Sequence, residues 1–394
     1  MNGLGLYIHI PFCIKKCNYC DFLSFSGMGK EEHSSYIDAL CKEIRYYGNK
    51  EILLDTVYIG GGTPSYIDSG LISKTLTEVS NSFTLAKDAE ITIEANPGSL
   101  SGEKLKAYLE GGVNRLSLGA QSLSKDLLKL MGRAHGKDSF IRNFELARER
   151  GFKNISVDLI FSVPGQSPEK WRESLEKTLE LGPEHISFYA LQIEEGTPFF
   201  KGVKEGTLKA AEDTTDRRMY HDALKMLKDS GYIHYEISNA AKPGHLSRHN
   251  LKYWSMDNYL GVGLGSHSYV DGRRFSNETR LNEYVNIAGK GGCKGENGLR
   301  REEMNGSSPW TVFCRENTMQ EEMAEYMFTG MRKVEGINMR DFTEKFGISP
   351  LEFYKNQAAV HISGGLLELG EDAEYLRLTG KGRDLFNRVL VDFI

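Results

Sequence analysis

The first 200 residues repeat one unit: a short run of apolar and β-branched positions, then a polar stretch in which apolar residues recur every three or four places. The pattern predicts strands over residues 4–10, 56–60, 90–94, 115–118, 155–161 and 185–191. It predicts helices over 32–47, 71–81, 102–110, 138–150 and 168–181. Runs such as SVDLIF and HISFYAL are nearly continuous in apolar or small residues, which suits parallel strands covered on both faces. Ser167 followed by Pro168 is the cap and first-turn pair that starts a helix. Such alternation builds an open doubly wound sheet or a barrel, and periodicity alone does not choose between them. In both, chemistry gathers at the C-terminal ends of the strands. The unusual residues fall there: the cysteine segment after the first strand, GGGTP after the second, EANP ending the third and GAQS ending the fourth. Asp158 lies within the fifth.

After residue 211 a helix is expected to about residue 230, then a texture rich in Gly, His, Tyr and Asn to about residue 275. The polar, glycine-rich segment 290–317 reads as a linker or loop. Helices near 318–332, 339–346 and 350–362, a hairpin from 366–369 and 375–378, and a terminal helix follow in the order of a winged helix. This part carries 13 acidic against 9 basic side chains, which argues against a wing lying on DNA. The expected division is a core over 1–230, an extension over 231–294, a linker over 295–317 and a winged-helix-like domain over 318–394.

Composition narrows the class. With 40% hydrophobic and 26% charged residues, the 394-residue chain has the make-up of a globular protein with a large core. A formal net charge of −5 removes any large positive field for nucleic acid, so no nucleic-acid partner is expected. No run approaches the roughly 18 apolar residues that cross a bilayer, and the N-terminus lacks the pattern of a secretory signal. A cytoplasmic protein without a transmembrane segment is expected, with peripheral membrane contact left open. Three of the six cysteines, Cys13, Cys17 and Cys20, crowd into eight residues, while Cys41, Cys293 and Cys314 stand apart. In a reducing compartment, crowded cysteines read as metal or redox ligands rather than disulfides.

The strongest signal is CIKKCNYC, a CxxxCxxC loop. Three thiolates on a short loop can hold three irons of a 4Fe-4S cubane and leave the fourth open to another ligand. Zinc is the alternative, but it wants four ligands and usually paired CxxC units, and no second pair occurs. A catalytic thiol or buried core cysteines complete the options. YIHIPFCIKKCNYCDF, followed some forty residues later by GGGTP, resembles the radical S-adenosylmethionine superfamily. More narrowly it is similar to the branch around oxygen-independent coproporphyrinogen III oxidase of porphyrin biosynthesis and the related haem chaperones.

The resemblance spans nearly the whole chain and implies a partial (β/α)6 TIM-like barrel, α/β in class, with a mostly helical winged-helix-like C-terminal domain. It implies that S-adenosylmethionine chelates the fourth iron and that a reduced cluster cleaves the sulfonium to a 5′-deoxyadenosyl radical. It sets Gly61, Gly62 and Thr63 against the methionyl end of that cofactor. Beside the resemblance, a glycine run after a strand leaves backbone free for close approach, although GGG alone is as often a tight turn. Glu94 ends an apolar strand, where a carboxylate lacking a partner is costly and a bound ammonium would satisfy it. Arg133 can grip a carboxylate by a charge-assisted fork. Gln121 and Asp158 suit ribose hydroxyls, and Tyr7, Tyr19, Ile160 and Ala190 supply packing. The plain alternatives are a surface ion pair for Arg133 and a buried hydrogen bond for Asp158.

Two departures separate oxidase from chaperone. The oxidase carries a further cysteine two places after the third, where this chain has Phe22, and it has an N-terminal arm, where only twelve residues precede Cys13. A third sign is the run from His249 through Asn250, Leu251, Lys252 and Tyr253 to Trp254, which matches the HNxxYW motif associated with haem in the chaperones. An imidazole can ligate haem iron while Tyr253 and Trp254 cover the macrocycle. A histidine beside aromatics is also commonly a structural residue, and His267 is a rival ligand. The expectation is a haem carrier that hands haem to an acceptor protein of unknown identity and is served by a low-potential electron donor such as a flavodoxin or ferredoxin. The alternatives are the oxidase itself or a related radical methyltransferase or cyclase.

Overall fold

The computed structural model describes residues 3–290, 304, 306, 308–370 and 372–394. Cys293 and residues 295–303, 305 and 307 of the expected linker lie outside the described residues.

Six parallel strands form the core: β1 (Leu4–Ile10), β2 (Asn49–Gly61), β3 (Phe83–Ala95), β4 (Arg115–Gln121), β5 (Ile155–Phe161) and β6 (His185–Ala190). They are extended by β7 (Ile233–Glu236), β8 (Asn239–Ala241), β9 (Tyr259–Val262), β10 (His267–Val270), β11 (Arg273–Asn277) and β12 (Thr311–Glu316). All twelve join one sheet in the order β12-β11-β10-β9-β1-β2-β3-β4-β5-β6-β8-β7. Strands β1 to β6 run in sequence order without the reversal that marks a doubly wound sheet, so the winding is that of a barrel left open. β9 pairs parallel to β1 on its outer side, and β8 pairs antiparallel to β6.

Helices Lys30–Tyr47, Ser69–Ser82, Gly102–Glu110, Lys137–Arg150, Pro168–Leu181 and Asp213–Asp229 return the chain between or after the core strands. Local chemistry sets their starts. The Asp68 side chain accepts from the amide of Gly70, Ser101 from Lys104 and Ser167 from Lys170, each satisfying an amide that the first turn leaves open. Leu6, Ile8, Val57, Ile59, Ile93, Leu116, Leu118, Val157 and Leu159 are buried, and with helix residues such as Ile37, Leu40, Phe140 and Trp171 they make the main core.

The chain departs from the linker expectation at residues 311–316. Thr311–Glu316 is the edge strand β12, paired antiparallel with β11, and its Val312 and Phe313 are exposed. The C-terminal part has its own core, with Met323, Met327, Phe342, Leu376 and Val389. A three-stranded sheet orders Ile337–Asn338, Tyr375–Leu378 and Leu367–Leu369 beside helices Met319–Gly330 and Met339–Phe346. The single helix expected over 350–362 is two, Pro350–Phe353 and Lys355–Ser363, broken at Tyr354. No helix among the described residues is long and apolar enough to cross a membrane.

Candidate functional site

The cysteine loop leaves the C-terminal end of β1 and is tied down on several sides. The amide of Gly62 donates to the Ile10 carbonyl at 2.9 Å and that of Thr63 to the Phe12 carbonyl at 2.8 Å, so the turn after β2 is laced to the start of the loop. The Thr63 hydroxyl lies 3.4 Å from Cys13 Sγ. Asn18 is the second anchor. Its amide donates to the Met131 carbonyl at 3.0 Å, its side chain to the Leu130 carbonyl at 2.8 Å, and its own carbonyl accepts from the Phe199 amide at 3.0 Å. Tyr19 packs under the loop with Ile160, Leu127, Met131 and Phe199, a small apolar cluster separate from the main core.

Glycine at residues 61 and 62 is explained by this lacing. A Cβ on Gly61, where φ is +113°, would stand 2.6 Å from the His9 ring, and one on Gly62 would stand 2.9 Å from the Phe12 backbone. Closeness of two strand ends is thus a sufficient reason for two of the three glycines, whatever else approaches them.

The face of β1 to β6 away from the helices is polar. The Tyr58 hydroxyl donates to Glu94 Oε1 at 2.8 Å and the Gly61 amide to Oε2 at 3.1 Å. Glu94 therefore has partners, contrary to the expectation of an unpartnered carboxylate. Burial still pushes its pKa up to about 7, against the lowering effect of the Tyr58 bond. The Ser117 hydroxyl donates to Asp158, and burial raises that carboxyl as well. Gln121 ends β4 with φ +63°, a conformation non-glycine residues seldom take and one that clusters at functional sites. Arg133 is half-buried. One terminal nitrogen donates to the Gly119 carbonyl at 2.7 Å, the other lies 3.5 Å from Cys17 Sγ, and its Nε has no partner. Ala190 closes β6 opposite Phe161.

Tyr7 belongs to a strut. Its hydroxyl meets His9 Nδ1 at 3.0 Å, and His9 Nε2 meets the Leu23 carbonyl at 2.9 Å, so the ring carries its proton on Nε2 and ties β1 to the chain just past Cys20. Sequence reasoning missed His9, Tyr58, Ser117 and Asn18. The signal lay in the alternation of YIHI, TVYIG and RLSLG, whose polar positions at every second residue mark one face.

The HNxxYW residues are elsewhere. His249 is fully buried near the N-terminal ends of the core strands, in helix Arg248–Trp254. Its Nδ1 meets the Thr56 hydroxyl at 2.8 Å, its Nε2 meets the Tyr253 hydroxyl at 2.8 Å, and its ring stacks on Tyr58 at 5.2 Å. Burial pushes its pKa down to about 3, so it is neutral. Asn250 and Tyr253 are half-buried, and the Arg332 guanidinium covers the Trp254 ring at 4.3 Å. The structure does not bring this motif to the cysteine loop. His267, at the start of β10, is exposed.

Residues 7–178 match the radical SAM superfamily and residues 317–385 the HemN C-terminal domain. A protein of Lactococcus lactis named heme chaperone HemW is 34% identical over 98% of this chain and 96% of its own. One of Bacillus subtilis with the same name is 36% identical over 98% of both. The chain belongs to the HemW family of radical SAM proteins. The solved Escherichia coli coproporphyrinogen III oxidase, HemN, shares the fold with a TM-score of 0.82 at 22% identity, covering 99% of this chain and 90% of that one.

Membership brings a 4Fe-4S cluster and S-adenosylmethionine as cofactors. The residues present fit them. Cys13, Cys17 and Cys20 are free thiols on one anchored loop, and burial lifts Cys20 to about 11, a proton that metal binding would displace. No three His, Cys, Asp or Glu side chains among the described residues are gathered closely enough to hold one ion. A cubane takes each thiolate on a different iron, so its three thiols need not converge on one ion. The unpartnered Arg133 Nε and the half-buried Glu94 offer complementary charges to an amino-acid ligand.

Proposed function

We propose that this HemW-family chain binds haem and delivers it to an acceptor protein, with cluster and S-adenosylmethionine assisting or regulating the handover. The observation that carries the reading is the end-to-end match, over 96–98% of their length, to relatives named heme chaperone. Phe22, where the oxidase pattern has a cysteine, points the same way. In this reading Cys13, Cys17 and Cys20 hold the cluster. Gly61, Gly62, Thr63, Glu94 and Arg133 take the amino-acid end of the cofactor, Gln121 and Asp158 the ribose, and Tyr7, Tyr19, Ile160 and Ala190 pack around it. A low-potential carrier supplies the electron, and the protein works in the cytoplasm.

Haem is assigned to the HNxxYW extension, with His249 and His267 as the competing iron ligands. Iron can take His249 Nε2 only after the Tyr253 hydroxyl lets go, whereas His267 is exposed. Anaerobic haem titration of the wild type, His249→Ala and His267→Ala reads the ligand from the Soret band. A wild type that takes up no haem sinks the carrier reading. Incubation with coproporphyrinogen, S-adenosylmethionine and a strong reductant tests the oxidase alternative; decarboxylated product would establish it in place of the carrier.

A further inference from the structure

Arg115 opens β4 and is 2% exposed, among the largest buried side chains of the chain. Leu116 and Leu118 pack in the main core, so Arg115 and Ser117 belong to the opposite, polar face of the strand, where Ser117 meets Asp158. In register Arg115 stands across from Thr92 of β3, and Thr92 across from Tyr58 of β2. The row therefore runs from the ring that stacks on His249 to a guanidinium two strands away.

This guanidinium is uncompensated. Among the described residues Arg115 has no ion pair and no hydrogen bond, and its Nε is a buried donor without a partner. The Thr92 hydroxyl, also fully buried, has no partner either. The polar groups around them are engaged with one another. His185 meets the Ser156 and Tyr235 hydroxyls at 2.8 Å each, and His249 meets those of Thr56 and Tyr253 at the same distance. The acids of this face, Asp158 and Glu94, bind Ser117 and Tyr58 instead. Both carboxyls are pushed up by burial, which outweighs the opposing effect of the Arg115 charge.

An isolated buried charge is strongly unfavourable, so a folded chain that keeps one calls for a counter-charge. A single cation between two carboxyls favours a monoanion over a dianion such as phosphate, and the planar guanidinium fork matches the two oxygens of a carboxylate. We propose that Arg115 and Thr92 form a carboxylate-binding site inside the barrel, with the guanidinium gripping both oxygens and the Thr92 hydroxyl donating a further hydrogen bond. Two sources offer that group: a propionate of haem held by the neighbouring HNxxYW helix, or a free small carboxylate such as formate. The first rests on the haem reading above and the second does not.

The test follows thermal unfolding in formate at constant ionic strength, with the reconstituted protein saturated in S-adenosylmethionine to keep formate off the groups proposed for that cofactor. The wild type should gain a saturable few degrees, and Arg115→Met should gain none. Thr92→Val, which keeps the volume and the guanidinium, should bind formate several-fold more weakly and serves where Arg115→Met does not fold. A second arm titrates haem and haem dimethyl ester, whose propionates are blocked, and reads the Soret band. A propionate on Arg115 makes the wild type prefer haem on the order of tenfold, a preference that Arg115→Met loses, and bound haem then cancels the formate response. A formate response with equal affinity for haem and ester assigns the site to free carboxylates. A wild type that takes up no haem removes the propionate source together with the carrier reading and leaves formate to decide. Neither an Arg115-dependent formate response nor discrimination against the ester would mean that water alone serves Arg115, and overturns the proposal.

Discussion

The Tyr58 hydroxyl donates to the Glu94 carboxylate at 2.8 Å, and on its other side the Tyr58 ring stacks on His249 at 5.2 Å. One residue thus joins the carboxylate proposed for the cofactor's amino-acid end to the histidine of the HNxxYW motif.

Glu94 gives a pH prediction. Burial raises its pKa to about 7, so it is protonated below that value and gains the charge an ammonium needs as pH rises through it. S-adenosylmethionine should bind on the order of tenfold more weakly at pH 5.5 than at 7.5, measured by calorimetry. Glu94→Gln should bind weakly at both. The raised value also means that the unfolded chain gives up this proton first, so Glu94 lowers stability as pH climbs from the ordinary carboxylate range through 7.

His249 is predicted to matter to the fold itself. His249→Ala strands the Thr56 and Tyr253 hydroxyls and empties a fully buried site, a loss of about 2–4 kcal/mol. Thermal unfolding without haem should show it as a fall of several degrees. An unchanged melting temperature would mean the ring is not part of the barrel's structure.

The cluster assignment predicts opposite results for two cysteines. Cys17→Ser should lose most iron and sulfide after anaerobic reconstitution. Cys41→Ser, in helix Lys30–Tyr47 and buried in the main core, should retain them.

Asn18 should act on the cluster without touching it. Asn18→Ala removes the bond to the Leu130 carbonyl, worth about 1 kcal/mol, and loosens the loop at its middle. Iron content should fall on dilution faster than in the wild type, while circular dichroism stays unchanged.

How far the sequence carried depended on which residues were buried. Strands β1 and β5 and helices Gly102–Glu110 and Pro168–Leu181 have the bounds that periodicity predicts: the helices run from caps at Ser101 and Ser167 to glycines at 111 and 182, and the strands stop at Pro11 and at Ser162, where φ is +61°. β2 and β3 begin well before the expected residues. Their first halves pair only at Asn49–Phe83, Leu53–Thr84 and Leu54–Leu85, across two register shifts where exposed Lys50, Glu51 and Lys87 break the hydrophobic period. β12 escaped for the same reason, as an edge strand with neither face covered.

At the site, the cysteines and glycines were legible because their spacing is unusual. The supports were not. Ser117 reaches Asp158 across neighbouring strands and Asn18 reaches Leu130 across more than a hundred residues, relations that only the fold creates. For the motif histidine, sequence raised haem and structural roles alike, and its engagement by Thr56 and Tyr253 became visible only once helix Arg248–Trp254 was seen beneath β2.

β1 has a parallel neighbour on each flank, β2 and β9, so the strand that leads into the thiols is an interior member of the sheet. An interior strand cannot peel away singly, since leaving would break two ladders of hydrogen bonds. Air damage to the iron centre should accordingly leave an intact apoprotein whose repair needs only metal, sulfide and reductant.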